Sequence, residues 1–184
     1  MNCICNLDCW RHEWPKTDFT KHSIPLTDIL SGGPPKDGIP PIDDPTFKPV
    51  SEIDELGETE PVIGVPITET FYPLCKAAMV FDRRVGNKIL DFGTTGKLRN
   101  SNLIMWDRQT ESWWQQFLGE AIVGSMTRTK LKALPVRLEI WRTFKKRFPK
   151  GQVLRPTGAF ASLETYCCNP YGGYDTQAGP YRIF

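Results

Sequence analysis

Histidine is scarce in this chain. His12 and His22 are the only two in 184 residues, and both lie in the N-terminal part, so a Ser–His or Cys–His catalytic pair finds little support. No apolar run approaches the roughly 18 residues that a membrane helix needs, and no transmembrane segment is expected. The first residues, Met1 to Trp14, carry Asp8, Arg11, His12 and Glu13 but no apolar h-region, so no signal peptide is read there. Familiar metal and phosphate motifs are also missing. Cys3, Cys5, Cys9 and His12 follow a C-x-C-x3-C-x2-H spacing, unlike the usual zinc pairs. GTTGKL (93–98) departs from phosphate-loop spacing and has Leu98 where a metal-binding hydroxyl is required. The basic residues Arg142, Lys145, Lys146, Arg147 and Lys150 lack aromatic interleaving, and no nucleic-acid partner is expected.

Proline and glycine, by contrast, are plentiful at 16 and 15 residues, which favours turns over long helices. Apolar residues make up 40% of the chain and include 6 Trp and 10 Phe, enough for a core. Charge is unevenly distributed. Residues 1–60 hold 5 Lys and Arg against 12 Asp and Glu, whereas residues 61–184 hold 18 against 9. An acidic segment so joined to a basic body either lies across it or keeps it in solution.

Along the chain, residues 1–16 are expected to be poorly ordered, and 17–60 to form an extended acidic arm packed on the body. Prolines at 34, 35, 40, 41, 45 and 49 bar a helix or a central strand from the stretch 31–50. Residues 61–184 are read as one mostly β domain. Its first strand is placed at PVIGVPI (61–67). Residues 77–84 and 88–92 form the arms of a hairpin around Gly86-Asn87. GTTGKLRNSN (93–102) reads as a polar loop, 103–106 as a strand, and 107–110 as a turn. Residues 112–118 return as a strand or begin a helical turn. Short strands follow at 120–123, 130–134 and 152–154. Leu138, Trp141, Phe144, Lys145 and Phe148 recur at helical spacing and predict one amphipathic helix near 138–148, stopped by Pro149 and Gly151. The expected class is therefore mainly β (α+β), an antiparallel sheet or barrel-like domain with one helix.

Several phrases are long enough to be specific: SGGPPKDGIPPIDDPTF (31–47), EPVIGV (60–65), YPLCKAAMVFDRRV (72–85), the stretch LDFGTTGKLRNSNLIMWDRQTESWWQQFLGEAIVG (90–124), LPVRLE (134–139) and NPYGGYD (169–175). Through them the chain resembles the bacterial and archaeal family known as domain of unknown function 3179. The resemblance implies no established activity. It does imply a periplasmic or extracellular setting. The chain departs from the family pattern in three places. Tyr72 stands where members often carry the first cysteine of Cys-Pro-Leu-Cys, leaving Cys75 alone. The Trp-His-Glu signature that usually precedes that motif is absent, and members continue beyond the Asn-Pro-Tyr phrase. A shortened member is expected.

The candidate ligand-binding residues are Cys75, Asp82, Arg83, Arg99, Asn100, Asp107 and Arg108. Cys75, at the entry to a strand, is either a buried small hydrophobe or a thiolate able to bind a soft transition metal or exchange disulfides. Arg83, Arg99 and Arg108, with Lys97 and Asn100 to Asn102, supply donors for an anion. Asp82, Asp107 and Glu111 either pair with neighbouring arginines or act as an acid or base. Trp106, Trp113 and Trp114 are either core or a stacking surface. Three readings follow. The first is a noncatalytic extracytoplasmic binding module with a pocket for an anion or small ligand near Cys75 and the three arginines. The second is a thiol-redox or metal-binding protein using Cys75, with Asp82 or Asp107 assisting. The third is a truncated structural fragment.

Overall fold

Phe92 to Val123 carry short apolar runs, Leu103 to Trp106 foremost, that are buried on both faces, and this stretch folds into four strands of one antiparallel sheet. The computed structural model describes residues 7–43, 45–52, 66–72, 77–137 and 140–155. They fall into two compact units, one of residues up to 41 and from 66 to 134, the other of residues 42–52 and 135–155. The chain is mainly β, and among the described residues its sheets are open, so the barrel-like alternative is not realised.

The first unit begins with helix α1 (Leu7–Glu13) and strand β1 (Leu30–Ser31). It continues with β3 (Ile67–Tyr72), β4 (Ala77–Asp82), β5 (Arg84–Val85) and β6 (Lys88–Ile89). Next come β7 (Phe92–Arg99), β8 (Asn102–Asp107), β9 (Trp113–Gln115), β10 (Glu120–Val123) and β11 (Lys132–Leu134). The five-stranded sheet has the order β1-β7-β8-β9-β10, and a three-stranded sheet has the order β11-β4-β3. The hairpin expected at Gly86-Asn87 forms only as the short β5–β6 ladder, because β4 pairs along its length with β3 and also with β11.

Trp113 and Trp114 are neighbours in sequence and so point to opposite faces of the five-stranded sheet, and both are fully buried. On the Trp113 face, Ile104, Trp106, Ile122 and Val123 meet Trp10 and Trp14 from the N-terminal segment, together with Phe19 and Ile29. Trp10, Trp14 and Phe19 all stand edge-on to Trp113, with ring centroids 5.2, 5.3 and 5.3 Å away, the arrangement that the ring quadrupoles favour. On the opposite face, Trp114 meets Phe92 edge-on at 5.7 Å.

One buried side chain bonds across the two sheets. The fully buried Gln116 amide donates to the Ala77 carbonyl at 3.0 Å and to Thr70 Oγ1 at 3.0 Å, both in the three-stranded sheet. Its oxygen accepts from Asn102 Nδ2 at 2.7 Å, and Asn102 Oδ1 in turn accepts the Phe117 N–H at 3.0 Å. With its partners in place, each buried polar atom is satisfied; removing one would strand the others.

GTTGKLRNSN is a correction. Residues 93–99 lie inside β7, and the connection to β8 is only the two-residue turn Asn100-Ser101, at φ 50° and 56°. What made the stretch look like a loop is its pair of glycines, and these serve the proline-rich segment that lies against the strand. Gly32 N–H donates to the Gly96 carbonyl at 2.7 Å, and Asp37 N–H to the Thr94 carbonyl at 2.8 Å. Gly96 sits at φ +68° within a bulge between Thr94 and Lys97, and a Cβ there would lie 1.9 Å from the Pro34 carbonyl oxygen. A Cβ at Gly93 would lie 2.2 Å from Asp37 Oδ1.

In the second unit, β2 (Thr46–Pro49) pairs with β12 (Gln152–Arg155), and Phe144 of helix α2 (Trp141–Arg147) packs on Val50 and Val153. The helix is thus present inside the expected 138–148, with Trp141 stacked on Phe144 at 5.7 Å. Pro49 is at the end of the β2–β12 ladder, where its lack of an N–H is tolerated.

Gly96→Ala should destabilise the chain by at least ~2 kcal/mol, combining a left-handed backbone with a direct clash. Gly86→Ala also has positive φ, 59°, but open space around it; it should cost only about 1 kcal/mol. Urea denaturation of the two variants beside the parent checks the difference, and equal costs would mean that the arm does not press on β7.

Candidate functional site

The β7–β8 hairpin decides which candidate residues can meet. Arg99 pairs with Asn102 at one end of the ladder and Phe92 with Asp107 at the other. Seven strand residues at about 3.3 Å each separate those ends by roughly 20 Å. Arg99 and Asn100 therefore sit at the turn end. Asp107, Arg108 and Arg83 sit at the other, where Arg108 N–H donates to the Asp91 carbonyl at 2.8 Å and Arg83 pairs with the Asp91 carboxylate. One pocket built on all three arginines is not formed. Cys75 lies outside the described residues, as do Cys3, Cys5, Cys167 and Cys168. Cys9 is exposed on α1. Among the described residues no three His, Cys, Asp or Glu side chains converge as metal ligands.

At the turn end, Asn100 is exposed and supplies the left-handed backbone that a two-residue primed turn needs. Arg99 donates to Gln115 Oε1 at 2.9 Å and pairs with Asp28 at 3.5 Å. The ammonium of Lys97, itself buried, lies 3.5 Å from Glu13. Two acidic residues of the N-terminal segment thus neutralise two cations of β7.

At the other end, Asp91 binds Arg83 through one oxygen and accepts from Gln109 Nε2 at 2.7 Å through the other. The Nε of Arg83, like that of Arg99, is buried without a partner among the described residues, so neither guanidinium presents that edge to solvent. Asp107 is fully buried and accepts from Thr110 N at 2.6 Å, Thr110 Oγ1 at 2.8 Å and Trp114 Nε1 at 2.9 Å. These three donors fix the turn and orient the indole. Asp82 is held by Arg84, whose Nε lies 2.9 Å from one carboxylate oxygen and 3.0 Å from the other. The Arg84 guanidinium, helped by its backbone N–H, holds the Asp82 carboxyl at about 2.

A tighter constellation formed around Glu111, with three members, Trp14, Lys36 and Asp37, that sequence reasoning missed. Glu111 is buried, with φ 55°; Oε2 accepts Lys16 N–H at 2.9 Å and its carbonyl accepts Thr17 Oγ1 at 2.7 Å. Glu111 Oε1 pairs with Lys36 Nζ at 3.2 Å. That ammonium lies 4.1 Å from the ring centroids of both Trp14 and Trp106. Asp37 Oδ1 accepts the Trp106 indole N–H at 3.0 Å and Thr94 N–H at 3.0 Å. The Arg108 guanidinium carbon is 5.7 Å from the same Trp106 ring centroid. Lys-Asp followed by Gly38 after two prolines is a turn signal, and that was the available clue; which strand the turn would touch is a tertiary fact.

An antiparallel mainly β chain with this arrangement was compared with known proteins. Residues 64–183 match the family described as protein of unknown function, DUF3179, and the chain belongs to that family. No curated protein and no solved structure matches it. No described helix is long and apolar enough to cross a membrane.

The Asp82–Arg84 pair has a pH signature. Its folded value of about 2 lies below the roughly 3.9 of an unfolded aspartate. Its stabilisation is therefore complete above about pH 4 and is lost as pH falls toward 2. The urea midpoint of the parent should exceed that of Asp82→Asn at pH 7, and the gap should close between pH 4 and 2. Because Arg84 is half exposed, the gap should also narrow in 1 M salt, about a 3 Å screening length. A gap that stays constant down to pH 2 would show that the pair is not formed.

Proposed function

We propose that the protein is a noncatalytic module that binds a small ligand outside the cytoplasm without transforming it. The observation that carries this reading is the state of its acidic groups. Asp82, Asp107 and Glu111, the carboxylates expected to act as acid or base, are each occupied by internal donors that fix their position. The extracytoplasmic setting rests on the resemblance alone. An anion as ligand is the weaker form of the proposal, since Arg83 and Arg99 are already paired with Asp91 and Asp28.

The test is a thermal-shift panel of inorganic anions, small amines, sugars and divalent cations, with intact mass measured under native and denaturing conditions. A binding module should unfold cooperatively, gain stability with one ligand class by mass action, and return that ligand chemically unchanged. A ligand recovered altered would refute the noncatalytic reading. A native mass excess lost in Cys75→Ser would replace it with the thiol or metal reading. No shift with any class, together with non-cooperative melting, would leave a structural fragment.

A further inference from the structure

The Glu111 constellation has the composition of an ammonium receptor. Two indole faces and one carboxylate surround a single point, each fixed independently of the cation they hold. Trp14 and Trp106 are packed edge-on with centroids 5.2 Å apart, and Trp106 is further pinned through its N–H to Asp37. Glu111 keeps its place through its backbone and its second carboxylate oxygen. Trp14 is fully buried and its indole N–H has no partner among the described residues. Lys36, in contrast, is the most exposed of the four, its side chain 24% exposed against 9% for that of Glu111.

The segment that delivers Lys36 has other anchors. Gly32, Asp37 and the close approach at Gly96 hold it to β7 through contacts that do not involve the lysine side chain. The ammonium is therefore not needed to dock the arm. Trp106 and Glu111 lie within residues 64–183, which match the family, while Lys36 and Trp14 lie before them. One wall and the carboxylate belong to the matched domain, and the cation comes from outside it.

We infer that Trp14, Trp106 and Glu111 form a binding site for a small primary ammonium ion, occupied in this conformation by the chain's own Lys36. The inference rests on the binding-module reading and names its ligand class. A primary amine is preferred to a quaternary one because Glu111 accepts an N–H at 3.2 Å, which a tetraalkylammonium cannot supply. The aromatic faces would serve either cation equally. Ligand and Lys36 compete for the same space, so ligand binding turns the Lys36 side chain out to water while the Asp37 N–H bond to Thr94 keeps the backbone on β7.

The probe is n-propylammonium chloride, which reproduces the lysine side chain beyond Cβ, with tetramethylammonium chloride as comparator and sodium chloride to match ionic strength. Lys36→Ala, confirmed folded by circular dichroism and a cooperative melt, should show saturable change in tryptophan fluorescence with n-propylammonium. Its apparent affinity should be at least about tenfold above that of the parent and of Lys36→Ala/Glu111→Gln, with tetramethylammonium weaker. Lys36→Ser, confirmed folded in the same way, should show the same saturable response; this second variant decides the matter if Lys36→Ala does not fold. Equal responses in all three proteins, or a folded Lys36→Ala or Lys36→Ser without saturable response, would overturn the inference. If the panel nonetheless yields another ligand class, the binding-module reading stands without it; if the panel is silent too, both fall.

Discussion

Strand alternation imposes one condition from which much of the first unit follows. Because Trp113 and Trp114 are adjacent in an extended chain, they cannot share a face, and each is too large to leave in water. The five-stranded sheet must therefore be covered twice. One side closes around Trp114, Phe92 and Met105, with the Trp114 indole N–H answered by Asp107. The other closes through a stretch that precedes the sheet in sequence: α1, Trp14, Phe19 and Ile29. The acidic character of that stretch matches its position, since Glu13 and Asp28 meet Lys97 and Arg99. Each pair alone contributes little, but a buried lysine without its carboxylate would be costly.

Elements whose signal is local were legible. Residues 102–107, 120–123, 132–134 and 152–155 form strands close to where short runs bounded by turns placed them, and the helix from Trp141 follows its 3.6-residue apolar period. The stretch from Gly93 was misread because glycine in a strand carries the same local signature as glycine in a loop. Its reason lay some sixty residues away, in the backbone of Pro34 and the carboxylate of Asp37. Helix α1 was illegible for a similar reason. LDCWRHE has a single buried anchor, Trp10, and too few turns to display a period.

The candidate site was legible in kind but not in membership. Asp107, Glu111, Arg108 and Trp106 stand out as charge and aromatics at a strand end, and three of them, Glu111, Arg108 and Trp106, do gather around one spot. Arg99 does not join them, because hairpin register sends it to the far end. Lys36 joins them because a bulge at Gly96 lets the arm run close enough. Spacing along a chain cannot report either event, since both depend on which residues face each other across a ladder.

The N-terminal aromatic cover has a consequence for any excised piece of this chain. The matched stretch 64–183 does not include Trp10, Trp14 and Phe19, which shield Trp113 from water. A piece cut at the start of that stretch would leave one face of the sheet wet, and would have to cover it with other residues of its own or with a separate chain. It would also lose one of the two indoles that meet the Lys36 ammonium.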